Sequence, residues 1–117
     1  DVAVRYGGEE FVLLLHGVRM PQLPVIAARI LHTIRANDWP LLPLTASIGG
    51  AEVCGADSAA TLLQRADASL YRAKRKGRDR FEAMGCAECI ASASAPPAMR
   101  AREWDQPPPG CRGGEAA

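Results

Sequence analysis

Arg5-Tyr6-Gly7-Gly8-Glu9-Glu10-Phe11, running on into Val12-Leu13-Leu14-Leu15, is the stretch whose reading decides the fold. Val2, Ala3, Val4, Arg5 and Tyr6 suit an extended strand, the two glycines suit a tight turn with positive φ, and Phe11 to Leu15 suit a returning, well-buried strand. A β-hairpin is therefore predicted, with two carboxylates at its tip. Successive strand side chains face opposite ways, so one of Glu9 and Glu10 enters any given site. A glycine turn lets a bulky ligand approach the backbone, and a carboxylate beside it suits Mg²⁺, which prefers oxygen ligands and bridges to phosphate. Taken alone, the spacing favours a plainer reading, an exposed hairpin with two solvated glutamates.

Outward from the hairpin the periodicity changes. After Pro21 and Pro24, the residues Leu23, Ile26, Ala27, Ile30, Leu31 and Ile34 recur at helical spacing and predict a helix to about Ala36. Asn37-Asp38 and the prolines at 40 and 43 end it. Leu44 to Val53 return to strand character, with Gly49-Gly50 marking a bulge or a close backbone approach. Asp57 or Ser58 offers an N-cap to a second helix, whose buried stripe is Leu62, Leu63, Ala66, Leu70 and Ala73 and whose far end Gly77 can cap. Lys74, Arg75 and Lys76 fall in its last turn, where the carbonyl end of the helix dipole favours cations. Arg80, Phe81 and Glu82 suggest a short closing strand. The order strand, strand, helix, strand, helix, strand predicts an α+β layer, helices packed on a largely antiparallel sheet.

Composition bounds what such a layer can be. The 117 residues fit one small domain, and 48% apolar with 23% charged residues is a soluble globular balance. A net charge of +1 supplies no global field for nucleic acid, so no nucleic-acid partner is expected. The longest apolar runs fall short of the roughly 20 residues that span a bilayer, and no signal peptide opens the chain, so a cytoplasmic location is expected. Residues 1 to 84 carry the periodic structure. Residues 85 to 117 hold five of the nine prolines and four of the eleven glycines and read as a disordered tail. Cys86 and Cys89 have zinc-knuckle spacing, but neither His16 nor His32 lies near them, so the four cysteines read as unpaired thiols.

At the other end of the domain, Lys74 and Arg78 are four residues apart. If the helical turn persists through Gly77 they project to one side, where an ammonium and a guanidinium fork can grip phosphate oxygens. In isolation the cluster reads as a solvated basic helix end.

The combination changes the weighing. The hairpin tip in its GGEEF form, Thr45-Ala46-Ser47-Ile48-Gly49-Gly50-Ala51, and Ala66-Asp67-Ala68 through Leu70-Tyr71 to Ala73-Lys74 with Gly77-Arg78-Asp79-Arg80 together resemble the GGDEF family, the diguanylate cyclases, in family order over about 80 residues. The resemblance implies a nucleotidyl-cyclase-like, ferredoxin-like βαββαβ core. It implies condensation of two GTP molecules into cyclic di-GMP and two pyrophosphates, with Mg²⁺ or Mn²⁺, in a head-to-head homodimer. By position, Glu9 resembles the metal-binding carboxylate that also assists deprotonation of the ribose 3′-hydroxyl. Gly7 and Gly8 match the turn against which GTP lies, and Lys74 and Arg78 match the basic pair on the triphosphate. Glu10 acquires no separate role. Asp1 and Arg29 match contacts of the family's inhibitory site for cyclic di-GMP.

The resemblance also implies that this is the C-terminal half of the domain. The first central strand, the first metal aspartate, the phosphate loop, the guanine-reading residues and any membrane tether are expected ahead of Asp1. On that basis the chain by itself is expected to be inactive and poorly stable. The competing reading is a degenerate GGDEF module that binds GTP, cyclic di-GMP or a protein partner without catalysis. A purely structural reading leaves the Gly-Gly-Glu-Glu turn unexplained.

Overall fold

The computed structural model describes residues 1–85; the expected tail beyond them, with Cys86, Cys89 and Cys111, lies outside the described residues. The element order is β1 (Val2–Arg5), β2 (Phe11–Leu14), a 3-10 turn (Met20–Gln22), α1 (Leu23–Ala36), β3 (Ile48–Gly50), α2 (Ala59–Arg75) and β4 (Phe81–Ala83). This is the α+β succession read from the periodicity. The strands form two separate ladders. In one, β1 and β2 run antiparallel, with Val2 opposite Leu14 and Arg5 opposite Phe11. In the other, β3 and β4 run parallel, with Ile48 opposite Phe81 and Gly50 opposite Ala83. The resemblance puts a further central strand between these ladders.

The strand expected over Leu44 to Val53 forms only at Ile48–Gly50. Strand geometry persists where a neighbour supplies ladder bonds, and β4 is itself three residues long. The Ile48 N–H donates to the Arg80 carbonyl at 2.9 Å, and the Met84 N–H donates to the Gly50 carbonyl at 3.3 Å, closing the two ends of the pairing.

α2 begins where its cap dictates. The Thr61 N–H donates to the Ser58 hydroxyl at 3.2 Å, while the Ser58 N–H donates to Thr61 Oγ1 at 2.8 Å, a reciprocal box with threonine in the place more often held by glutamate. Such a cap contributes about 1 kcal/mol. The helix then lies across β3 and β4 through a face of small residues, with Ser69 and Ala73 wholly buried. The Ser69 hydroxyl returns its proton to the Arg65 carbonyl at 3.0 Å, so its burial leaves no orphan donor. Gly49 meets this face directly. A Cβ there would stand 2.7 Å from the Leu70 Cα and closer still to the Ala66 carbonyl and the Leu70 amide. The close backbone approach expected at Gly49-Gly50 is thus what the fold contains.

α1 buries Ala27 and Leu31 from its predicted stripe and packs toward β4. Its last turn is closed by a residue the periodicity did not single out, Trp39, whose indole N–H donates to the Ile34 carbonyl at 2.8 Å. Just ahead of α2, the Asp57 carboxylate accepts from the Cys54 amide at 2.9 Å, from the Thr61 hydroxyl at 3.1 Å and from the Arg65 guanidinium. Arg65 also donates to the Glu52 carbonyl at 2.7 Å. Glu52 in turn takes Arg19 at 2.9 Å and the Met20 amide at 2.8 Å. This chain of bonds stitches the start of α1, the loop after β3 and the first half of α2 together.

Two expectations are corrected. Cys54 is 3% exposed and disulfide-bonded, so it is not an unpaired thiol. The returning strand of the hairpin is not well buried: Phe11 is 69% and Leu13 47% exposed, and Val2 and Val4 across the ladder are 54% and 45% exposed. The reason is architectural, because among the described residues the main packing contacts of α1 and α2 are with β3 and β4 and not with this ribbon. No helix among the described residues is long and apolar enough to cross a membrane.

Two outcomes follow from this packing. Gly49→Ala is expected to destabilise the chain by at least about 2 kcal/mol in a urea melt, since the added methyl meets helix backbone that cannot rotate away. The second concerns pH. Burial works to raise the Asp57 carboxyl, but the Cys54 amide, the Arg65 guanidinium and the Thr61 hydroxyl outweigh it and hold the group below its ordinary value. The unfolded chain then binds the proton first, so this stabilisation is complete above a pH of about 4 and fades as pH falls through the folded value. Thermal melts from pH 7 downward are expected to show that acid limb, and Asp57→Asn to lower the melting temperature at pH 7 while flattening it.

Candidate functional site

The hairpin tip is a loop over residues 6–10. The Glu10 carbonyl accepts both the Tyr6 N–H at 2.8 Å and the Gly7 N–H at 3.3 Å, which draws the strands together one residue before Phe11 resumes the ladder. Neither Gly7 nor Gly8 adopts the positive φ expected of a tight turn, because a loop of this width reverses the chain without it. Their value is clearance. A Cβ on Gly8 would meet nothing within 4 Å, and one on Gly7 would stand 3.3 Å from a Glu10 carboxylate oxygen. One side of the tip is therefore open and the Glu10 side chain folds over the other.

Arg5 fixes this arrangement from beneath. Its Nη2 donates to the Gly8 carbonyl at 2.7 Å and its Nε to the Gly7 carbonyl at 3.3 Å. Reading the sequence for site residues passed over Arg5. The available signal was a guanidinium two residues before a glycine pair, whose carbonyls no strand partner would take. Glu9 is exposed, and its carboxylate makes no hydrogen bond or ion pair among the described residues.

The basic end is built differently. α2 stops at Arg75 and Gly77 caps it, so the condition under which Lys74 and Arg78 would share a helical side, a turn persisting through Gly77, is not met. Gly77 has φ +118°, its N–H donates to the Lys74 carbonyl at 3.3 Å, and the Arg78 N–H donates to the Ala73 carbonyl at 3.0 Å. This paired closure ends the helix in a left-handed turn, since the bonds are of the 5→2 and 6→1 kind. Lys74 therefore projects from the last turn of α2 and Arg78 from the turn beyond it, so their positions owe nothing to a shared helical face.

Six cations fall between residues 72 and 80, and one carboxylate takes two of them. Glu82 on β4 accepts from Lys76 at 2.9 Å and from Arg72 at 3.3 Å. The Lys76 ammonium chiefly, with Arg72 assisting against an opposing effect of burial, holds the Glu82 carboxyl below its ordinary value. Lys74 and Arg78 make no side-chain ion pair among the described residues, and Arg75 lies 5.9 Å over the Tyr71 ring. Two cations are thus committed to Glu82, while Lys74 and Arg78 are among those that remain available to an anion.

No hydrogen bond or ion pair joins the inhibitory-site candidates Asp1 and Arg29 among the described residues. Asp1 Oδ1 accepts the His16 N–H at 2.8 Å, closing the open end of the hairpin, while Arg29 stands on α1 beside a shallow groove lined by Ile26, Ile30, Thr33 and Ile34. No hydrogen bond or ion pair joins Glu9 to Lys74 or Arg78 among the described residues. Nor do those residues contain a group of three or more His, Cys, Asp or Glu side chains able to hold a metal ion. The free Glu9 carboxylate still fits Mg²⁺, which takes one or two protein carboxylates and completes its shell with water and phosphate oxygens.

Comparison with known proteins gives a consistent picture. The family model described as diguanylate cyclase, GGDEF domain, matches residues 1–80. The chain is 37% identical over 86 residues to diguanylate cyclase DgcP of Pseudomonas aeruginosa, covering 70% of this chain and 13% of that protein. It is 34% identical over 85 residues to diguanylate cyclase A of Treponema denticola, covering 68% and 23%. It is 43% identical over 86 residues to diguanylate cyclase DgcM of Escherichia coli, covering 68% and 20%. The chain thus spans less than a quarter of the length of each of these relatives. No solved structure matches it.

The Arg5 clasp is open to a direct check. In Arg5→Gln the Gly7 and Gly8 amides are expected to gain fast backbone motion in ¹⁵N relaxation, with those of α2 unchanged. Rigid glycines in the variant would show that the turn is held by its own backbone bonds.

Proposed function

The chain belongs to the diguanylate cyclase, GGDEF domain family, and on that premise we propose that it supplies the acidic tip and the phosphate grip of a site that condenses two GTP molecules into cyclic di-GMP. The reading is carried by one observation: within the family match, Glu9 is presented unpartnered beside an open glycine loop, while Lys74 and Arg78, at the positions of the family's basic pair, are among the cations that Glu82 leaves unclaimed.

Each residue then has a chemical task. Gly7 and Gly8 leave the backbone bare so that the sugar and phosphates of GTP can lie against the tip. Glu9 would hold Mg²⁺ and sits where it can accept the proton of an attacking ribose 3′-hydroxyl. A bound Mg²⁺ supplies charge stabilisation on phosphate oxygens. Lys74 and Arg78 would hold the triphosphate and offset charge that builds on the leaving pyrophosphate. Arg5 would keep Glu9 in register by fixing the two consecutive carbonyls that precede it, those of Gly7 and Gly8. Each 3′-hydroxyl must attack the other nucleotide's α-phosphate, so two such domains face one another and neither completes the reaction alone. Asp1 and Arg29 stand as candidate contacts for cyclic di-GMP as an inhibitor.

Calorimetric titration of Mg²⁺-GTP into the full chain tests the grip. Saturable binding is expected, weakened roughly tenfold in Lys74→Gln or Arg78→Gln, while Glu9→Gln removes its dependence on Mg²⁺. Equal affinity in all three variants would sink the assignment. Cyclic di-GMP released by this chain on its own would overturn the requirement for a completed, paired site.

A further inference from the structure

Arg78 and Asp79 are the non-glycine residues among those described whose backbones are left-handed, with φ of 62° and 47°. A side chain disfavours that conformation, and it persists where the surroundings over-determine it. Two of the restraints are local: the closing bonds of α2, and the Arg80 Nε that donates to the Arg78 carbonyl at 3.1 Å. The third comes from another helix. Arg35, in the last turn of α1, donates through Nε to both carboxylate oxygens of Asp79 at 2.8 and 3.0 Å, and through Nη2 to the Asp79 carbonyl at 2.9 Å.

We infer that Arg35 is a positioning residue for phosphate binding, acting through Asp79 to fix the direction in which Arg78 points. The inference rests on the reading of Arg78 as a triphosphate contact. An exposed ion pair ordinarily adds little to stability, and here both partners are well exposed, Arg35 by 47% and Asp79 by 37%. What distinguishes this one is that a single planar guanidinium grips side chain and main chain of the same residue. Holding the carboxylate and the carbonyl restrains Asp79 on its Arg80 side, while the peptide that joins it to Arg78 is held at the Arg78 carbonyl by Arg80, so the two grips together leave the pair little freedom to rotate. α1 thereby sets the pose of a cation borne by the far end of α2, and the anion meets a fork that is already aimed. Lysine cannot replace Arg35 in this task, since a point charge does not span a carboxylate and a carbonyl at once.

The test uses the full chain, inorganic tripolyphosphate with Mg²⁺ as the probe, and two readouts. In Arg35→Gln, and in Asp79→Asn should the first variant unfold, the backbone couplings and ¹³Cα shifts of Arg78 and Asp79 are expected to lose their left-handed signature. The dissociation constant is expected to rise roughly 3- to 10-fold, and Arg35→Lys to recover little of it. In an Arg78→Gln background the same change should have no further effect, whereas with Lys74→Gln it should add in full. An unaltered left-handed signature in Arg35→Gln overturns the inference, as does an equal loss of affinity with and without Arg78. If Arg78→Gln alone leaves binding unchanged, or the unmodified chain does not bind the probe, the phosphate reading fails first and the positioning role falls with it.

Discussion

No side chain fits between β3 and α2 where they cross, and the rest of the domain is arranged around that fact. Backbone meets backbone at Gly49, and the helix answers with its smallest buried residues, Ser69 and Ala73. The contact fixes the rotation of α2 about its axis, because any other face would bring a larger side chain to the crossing. With Ala73 turned fully inward, its neighbours Arg72 and Lys74 are driven to either flank, at about 100° per residue. One flank carries Glu82 and the other does not. The sorting of cations at the helix end is thus decided by a glycine more than twenty residues earlier.

Electrostatics then secures what sterics has set. Toward its start, α2 is tied by Asp57 and Arg65 to the loop after β3, and that loop is tied through Glu52 to Arg19 and the entry of α1. At its end, Glu82 takes Arg72 and Lys76, and Asp79 takes Arg35. The pairs do different work. Those around Asp57 and Glu52 are mostly sequestered and satisfy backbone amides as well as charges, which is where charged hydrogen bonds contribute most. Those at the C-terminal end are more open and serve mainly to hold directions.

Much of this was legible in the residue order. The hairpin, the two helices and the closing strand follow from alternation, from the 3.6-residue stripe and from punctuation by glycine and proline. The Ser58 cap and the tight approach at Gly49 also follow from local chemistry. What escaped was whatever depends on neighbours distant in sequence. The stretch from Leu44 to Val53 looks like a long strand, but only the part beside β4 is one. Lys74 and Arg78 look like one helical face, but the left-handed turn at Gly77 separates them. Arg35 carries no sequence mark of its task, because its acceptors, the carboxylate and the carbonyl of Asp79, are brought to it only by folding. The disulfide at Cys54 was likewise unreadable from spacing.

The two halves of the proposed site are mounted with very different stiffness. The cationic half stands on a capped helix, seated on a sheet and braced from a second helix. The acidic half rides on a bare ribbon with oily residues facing outward on both sides. Such a cantilever has its orientation supplied by whatever comes to rest against it. On the proposed reading, the acid takes its direction from whatever covers the ribbon, whereas the cations stand on a framework that is already braced.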